Sequence, residues 1–291
     1  MEFCYSYNTD IGNTRQVNQD ALLVTTRDIQ GEKAVLAAVC DGVGGLSHGE
    51  NASRAAARML SDWFGYELPQ IANQEDEALV MTNRLEQLAQ DINYKIFVYG
   101  KQNNITLGTT MTAMLFWKNQ YYIVHVGDSR AYEIGSSFHQ ITKDHSFLAR
   151  EVECGRMTKE EAKADKRKNL ILQCLGARAQ VKPDILCGSM QEDTVYLLCS
   201  DGFWHLIEEE EWTEYFMPSR MTDDLVIHET LQSVVRLVMD RGEKDNITAV
   251  ALKVSKLSDC QSVPSSEELD ASASTCRLKE EKTDSEDITE T

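Results

Sequence analysis

Seven consecutive apolar residues at 34–40, Ala-Val-Leu-Ala-Ala-Val-Cys, are followed at once by Asp41 and Gly42. A run this short, with Gly31 before it and an Asp-Gly pair after it, has the pattern of a strand buried on both faces. A strand of that kind needs a covering layer on each side. The text that follows supplies candidates for those layers. Residues 48–64 place Ala52, Ala55, Ala56, Met59, Leu60 and Phe64 at helical spacing, and residues 76–100 repeat it through Leu79, Leu85, Leu88, Ile92 and Ile96. Strand-like stretches rich in Thr, Tyr, Val and Ile come next, at 109–117, 120–127 and 130–134. Lys118 and Asn119 form a two-residue connection between the first two. A polar, helical stretch runs from Ile141 to Gly176. Beyond it the pattern predicts a strand at 194–200, helices at 209–216 and 224–240, and a last strand at 246–254. Strands in two groups, with helices paired between and after them, argue for α+β layers rather than alternating β-α-β winding.

With 291 residues and 42% hydrophobic content the chain can bury a sizeable core. No apolar run approaches the roughly 20 residues that cross a bilayer, and Met1–Asp10 lacks the basic start and apolar centre of a secretion signal, so the cytosol is the expected address. The eight cysteines form no C-x-x-C pair, and Cys40 and Cys199 lie inside apolar runs, where a thiol packs as a small hydrophobe. A formal net charge of −18 argues against a nucleic-acid backbone or an anionic lipid surface as partner. Basic protein partners or bound cations fit better. Residues 255–291 carry four basic and ten acidic side chains and no Phe, Trp or Tyr. Such a segment buries too little apolar surface to offset its ordering entropy, and reads as a disordered acidic tail after a domain at 1–254.

Asp41 is not alone in its setting. "YLLCSDGFW" delivers Asp201 behind an apolar run, and "RGEKDNITAVAL" puts Asp245 just ahead of the final strand. Each by itself reads first as a turn residue. Carboxylates grouped in one cavity, however, repel one another unless a cation sits among them. Oxygen-only ligands select Mg2+ or Mn2+ over zinc, and two such ions can hold a bridging water and acidify it. Gly42, without a Cβ, allows its carbonyl to approach an ion. "NTRQVNQDAL" adds Arg15, Gln19 and Asp20 at the mouth of an early strand, and the planar fork of Arg15 suits two phosphate oxygens, or else a surface ion pair. "HVGDSRAY" supplies Asp128 between two strands, where a hairpin turn is the plain reading.

In order along the chain, "RQVNQDA" (15–21), "VCDGVGG" (39–45), "LGTTMTAML" (107–115), "HVGDSRAY" (125–132), "ITKDHS" (141–146), "LLCSDGFW" (197–204) and "DNITAVAL" (245–252) resemble the protein phosphatase 2C family of metal-dependent serine/threonine phosphatases, its bacterial branch in particular. The resemblance covers about residues 5–254. It implies a four-layer α-β-β-α sandwich of two antiparallel sheets flanked by helix pairs, with a metal site at one edge. It also implies two Mn2+ or Mg2+ ions and direct attack of a bridging water on phosphoserine or phosphothreonine. Asp41, Asp201 and Asp245 match ligands of the first ion, Asp41 and the Gly42 carbonyl those of the second, Asp20 an acid contacting metal-bound water, and Asp128 a ligand of a weaker third ion. Arg15 matches the arginine that holds the substrate phosphate. The polar segment from about Cys154 to Asn169 resembles the family's flap beside the cleft. Phosphoproteins as substrates, an opposing Ser/Thr protein kinase and a monomeric state follow from the same resemblance.

Three positions depart from the pattern. Gln19 stands where many relatives carry Glu, Val43 where eukaryotic members have a His, and His205 where relatives often have an Asp beside the third ion. They motivate a rival reading, a catalytically weak phosphoprotein-binding regulatory module. A hydrolase of small phosphate esters lacks support, since no Gly-Lys phosphate loop is present. His48, His125 and His139 read as surface or satisfied structural residues, and His145 in "KDHS" has no assigned role.

Overall fold

The computed structural model describes residues 2–43, 48–72, 74, 76–167 and 170–255; the acidic tail expected from the sequence lies outside the described residues except for Ser255. Among the described residues ten strands form two five-stranded antiparallel sheets. One holds β1 (Glu2–Asp10), β10 (Ile247–Ser255), β9 (Thr194–Cys199), β6 (Arg130–Ile134) and β7 (Phe138–Gln140), in that spatial order. The other holds β2 (Asp20–Ile29), β3 (Glu32–Asp41), β4 (Met111–Trp117), β5 (Gln120–Val126) and β8 (Asp184–Ser189). Against the second sheet lie α1 (Gly49–Tyr66), α2 (Leu68–Ile71) and α3 (Glu77–Asn103). Between the two groups of strands, α4 (Phe147–Glu153) precedes and α5 (Lys159–Ala164) lies within the segment expected to form the flap, and the first sheet is covered by α6 (Asp201–Trp204), α7 (Glu209–Phe216) and α8 (Asp224–Asp240).

The apolar run at 34–40 explains the layering. Ala34, Leu36, Ala38 and Cys40 face the helix-side core, while Val35, Ala37 and Val39 face the core between the sheets. Because side chains alternate across a strand, only a residue run that is apolar at every position satisfies both cores. β10 repeats the arrangement, with Ala249 and Ala251 toward the helices and Val250, Leu252 and Val254 between the sheets. Phe116 and Tyr196 meet edge to face across the sheets at 5.3 Å, and burying a ring of that size is worth about 2–3 kcal/mol.

Most predicted elements are present. Lys118 and Asn119 close the β4–β5 hairpin with φ of 50° and 61°, the left-handed pair a two-residue turn requires. On α3 the buried stripe is Met81, Leu85, Leu88, Ile92 and Ile96, and Leu79 of the expected stripe stands 61% exposed in the first turn. Three strands, β1, β7 and β8, are not anticipated by the sequence reading. β8 is a half-exposed edge strand, so its apolar alternation is weak. The hairpin expected at Asp128 is corrected. β5 already pairs with β4 and β8 in one sheet, and β6 pairs with β7 and β9 in the other, so 127–129 is a crossing between sheets, opened by Gly127 at φ 115°. Cys40 and Cys199 are free and fully buried. Among the described residues no helix is long and apolar enough to cross a membrane.

Candidate active site

The ends of strands from both sheets meet at one edge of the sandwich. Asp20 opens β2 and Asp41 closes β3, and the two are direct cross-strand partners. Like charges facing each other across a ladder are destabilising, so this register calls for a compensating positive charge. Ser200, at the end of β9 in the opposite sheet, donates its hydroxyl to Asp20 Oδ2 at 2.9 Å and so ties the sheets together here. Asp201 follows as the first residue of α6, and Asp245 lies just ahead of β10. The backbone of Asp41 is clamped by the neighbouring threonines. Its N–H donates to Thr110 Oγ1 at 2.9 Å, and its carbonyl accepts from Thr110 N–H at 2.8 Å and Thr109 Oγ1 at 2.9 Å.

The acids lie close enough for their charges to raise the carboxyls of Asp41 and Asp201. Burial, followed by the charges of Asp20, Asp201, Asp128 and Asp245, holds the Asp41 carboxyl well above the usual range. Burial and the charges of Asp128, Asp245 and Asp20 do the same to Asp201. Burial pushes Asp20 to about 6, against the pull of its hydrogen bonds to Thr248 and Ser200, and burial with the charge of Asp144 pushes Asp128 to about 7. Oδ1 of Asp20, of Asp128 and of Asp201 is buried without a hydrogen-bond partner. Orphaned carboxylate oxygens cost free energy in a folded chain, and a hard divalent cation is the ligand that satisfies several at once. Among the described residues no group of three or more Asp, Glu, His or Cys side chains is placed to hold a metal ion; Asp245 has one oxygen on Arg15 and Asp20 one on Ser200. The donor set nevertheless fits Mg2+ or Mn2+: oxygen only, acidic and partly unsatisfied.

Glycine is required beside two of the acids. A Cβ on Gly42 would stand 2.6 Å from the carbonyl oxygens of Gln19 and Gly49, and one on Gly202 would stand 2.2 Å from that of Asn246. The Asp-Gly pairs are therefore packing devices, one at the end of β3 and one in the first turn of α6.

Arg15 Nη2 donates to Asp245 Oδ2 at 2.7 Å and keeps about a third of its side chain exposed. It makes an ion pair, but with an acid of the site itself. The departures from the family pattern are placed here too. Gln19 Nε2 donates to Glu50 Oε2 at 3.2 Å, and His205 Nδ1 stands 3.9 Å from both Asp201 Oδ2 and Glu243 Oε2. Val43 donates its N–H to the Gly108 carbonyl. His125 is a satisfied core residue. Burial lowers it to about 4, so it is neutral, donating Nε2–H to the Lys143 carbonyl at 3.0 Å and accepting from Thr112 Oγ1 at Nδ1.

Sequence reasoning passed over Asn246, although it quoted the motif that contains it. Asn246 Oδ1 accepts from Gln19 N–H at 2.8 Å, and its Nδ2 donates to the carbonyls of Ile11 and Val17 at 2.9 and 3.2 Å. One buried amide thus pins the loop that carries Arg15. We expect Asn246→Ala to cost about 2–4 kcal/mol in a denaturant melt and to raise KM for a phosphopeptide several-fold. An unchanged melt with unchanged KM would contradict that role.

A sandwich of two antiparallel sheets that gathers five aspartates and one arginine at an edge has the make-up of a centre for hard cations and a bound anion. The family model for protein phosphatase 2C matches residues 12–253. The serine/threonine phosphatase stp of Listeria innocua is 30% identical over 250 residues, covering 85% of this chain and 94% of that one. The crystal structure of the serine/threonine phosphatase Stp1 from Staphylococcus aureus superposes with a TM-score of 0.76 at 29% identity, over 88% of this chain and 96% of that one. A structure of the catalytic domain of the serine/threonine protein phosphatase PstP in complex with two manganese ions matches with a TM-score of 0.71 at 28% identity, over 87% and 99% of the two chains. The chain belongs to the protein phosphatase 2C family.

Proposed function

We propose that this chain is a metal-dependent protein serine/threonine phosphatase that acts at the acidic edge of the sandwich. The observation that carries this is the set of buried, unpartnered oxygens on Asp20, Asp128 and Asp201, next to the guanidinium that Asp245 holds. Two ions, Mn2+ or Mg2+, suit these residues, with Asp41, Asp201 and Asp245 holding one, Asp41 and the Gly42 carbonyl the other, Asp20 acting through water, and Asp128 serving a weaker third. When bound, the cations supply positive charge for the phosphoryl oxygens and a water acidic enough to attack phosphorus in line.

The chain's own groups do the rest. Arg15 exchanges its carboxylate partner for two phosphate oxygens as substrate enters and orients the ester for in-line displacement. Thr109 and Thr110 keep the Asp41 backbone in register. Val43 has no proton to offer, so the departing serine or threonine oxygen takes its proton from water or from another group. Since the substrate is a phosphoprotein, a Ser/Thr protein kinase must supply it, and the enzyme opposes that kinase.

The test is turnover of a phosphothreonine peptide. We expect hydrolysis with Mn2+, its loss in EDTA, and a KM raised about tenfold or more in Arg15→Ala, the worth of a charge-assisted hydrogen bond. Calorimetric binding of the intact peptide without metal and without turnover would favour the regulatory-module reading instead.

A further inference from the structure

The "ITKDHS" segment has no part in the chemistry above, yet its side chains converge on the loop that carries Asp128. Asp144 grips Arg130 with both oxygens, Nε to Oδ1 at 2.9 Å and Nη2 to Oδ2 at 2.7 Å. Arg130 in turn lies over the Trp204 ring, 3.2 Å from its centroid, and Trp204 Nε1 donates to the Asp128 carbonyl at 3.1 Å. On the other side of Asp128, His145 donates its backbone N–H to the Gly127 carbonyl at 2.7 Å and accepts from Gly127 N–H at Nδ1 at 3.2 Å. The residue is therefore held before, at and after its own position.

The same segment forms the neck of the flap. Phe147 N–H donates to the Leu170 carbonyl at 2.8 Å, Leu172 N–H to the His145 carbonyl at 2.7 Å, and Ser146 bridges Ile171. Asp144 has both oxygens committed to Arg130, so it is not a free ligand for the acidic centre. A largely buried Arg–Asp pair is also a poor stabiliser, because desolvation offsets much of the attraction. What this pair does supply is a fixed geometry.

We propose that Asp144, His145 and Trp204 are positioning residues that set the Asp128 loop at the acidic centre and join it to both ends of the flap. The inference rests on the reading of Asp128 as a cation ligand. Groups that orient a ligand typically change metal affinity by about 10- to 100-fold when removed.

The experiment is calorimetric titration of the metal-stripped full chain with Mn2+, alongside the Mn2+ concentration for half-maximal turnover. Trp204→Phe keeps an aromatic ring beside Arg130 and deletes the N–H to Asp128 together with part of the indole surface. We expect it to weaken the weakest Mn2+ step and raise the half-maximal concentration about tenfold, with turnover at saturating Mn2+ nearly unchanged. His145→Ala should behave alike, and His145→Asn, which can again accept from Gly127 N–H, should recover most of the loss. Asp128→Ala separates the two layers of the argument. If it shifts the Mn2+ dependence while Trp204→Phe and His145→Ala do not, the positioning role is wrong and the ligand reading stands. If Asp128→Ala itself shifts nothing, the ligand reading fails and the positioning role falls with it.

Discussion

Asp201→Asn is expected to lower phosphothreonine turnover in Mn2+ by about a thousandfold while raising the melting temperature of the metal-free protein. The two effects have one origin. Asn keeps the shape of the side chain and removes the charge, so a cation loses a ligand and the acid cluster loses one member of its mutual repulsion. Burial first, then Asp128, Asp245 and Asp20, already hold the Asp201 carboxyl well above its ordinary range, which means that ionising it opposes folding. A few degrees of added stability correspond to about 1–2 kcal/mol in a chain of this size. The opposite signs also guard the result, because a variant that lost activity by misfolding would melt earlier. Near-normal turnover by Asp201→Asn would remove the central assignment.

In EDTA the protein should melt at progressively lower temperature as pH rises from 5 to 8, and Mn2+ should reverse that trend. A carboxyl whose folded value lies above its unfolded one stabilises the fold while protonated, fully so below the unfolded value, and that contribution is lost as pH rises through the folded value. The relevant folded values are about 6 for Asp20 and about 7 for Asp128, with Asp41 and Asp201 raised as well. For Asp20 the rise from 3.8 to about 6 is on the order of 3 kcal/mol between its protonated and ionised states. A divalent cation competes with those protons, so the stabilisation it brings should grow with pH. Differential scanning fluorimetry across that range, with EDTA and with Mn2+, measures both slopes. A flat profile in EDTA would mean that the acids do not share a desolvated centre.

Much of the fold was legible because burial writes periodicity into the chain. The run at 34–40 is apolar at every position because β3 faces two cores, and the α3 stripe recurs at helical spacing because one face of that helix packs on the sheet. β8 was not legible, since an edge strand with half its surface in water needs little apolar alternation. Asp128 was visible as a residue, but its setting was misread. A short polar link between two strands looks the same whether it turns within a sheet or crosses to another, and only the pairing of β5 with β8 and of β6 with β9 decides between them.

The sequence alone determined which residue types were available: aspartates behind apolar runs, glycines beside two of them, an arginine ahead of β2, and a charge balance that argues against a polyanion as partner. Tertiary structure decided the rest. It set Asp20 opposite Asp41, linked Asp20 to Ser200 across the sheets, gave Arg15 an acid of the site as its partner, and made Asn246 the fastening of the loop that carries Arg15. The pairing of Asp20 with Asp41 depends on strand register, and the other relations on contacts between residues about 180–230 positions apart; no local pattern along the chain records them.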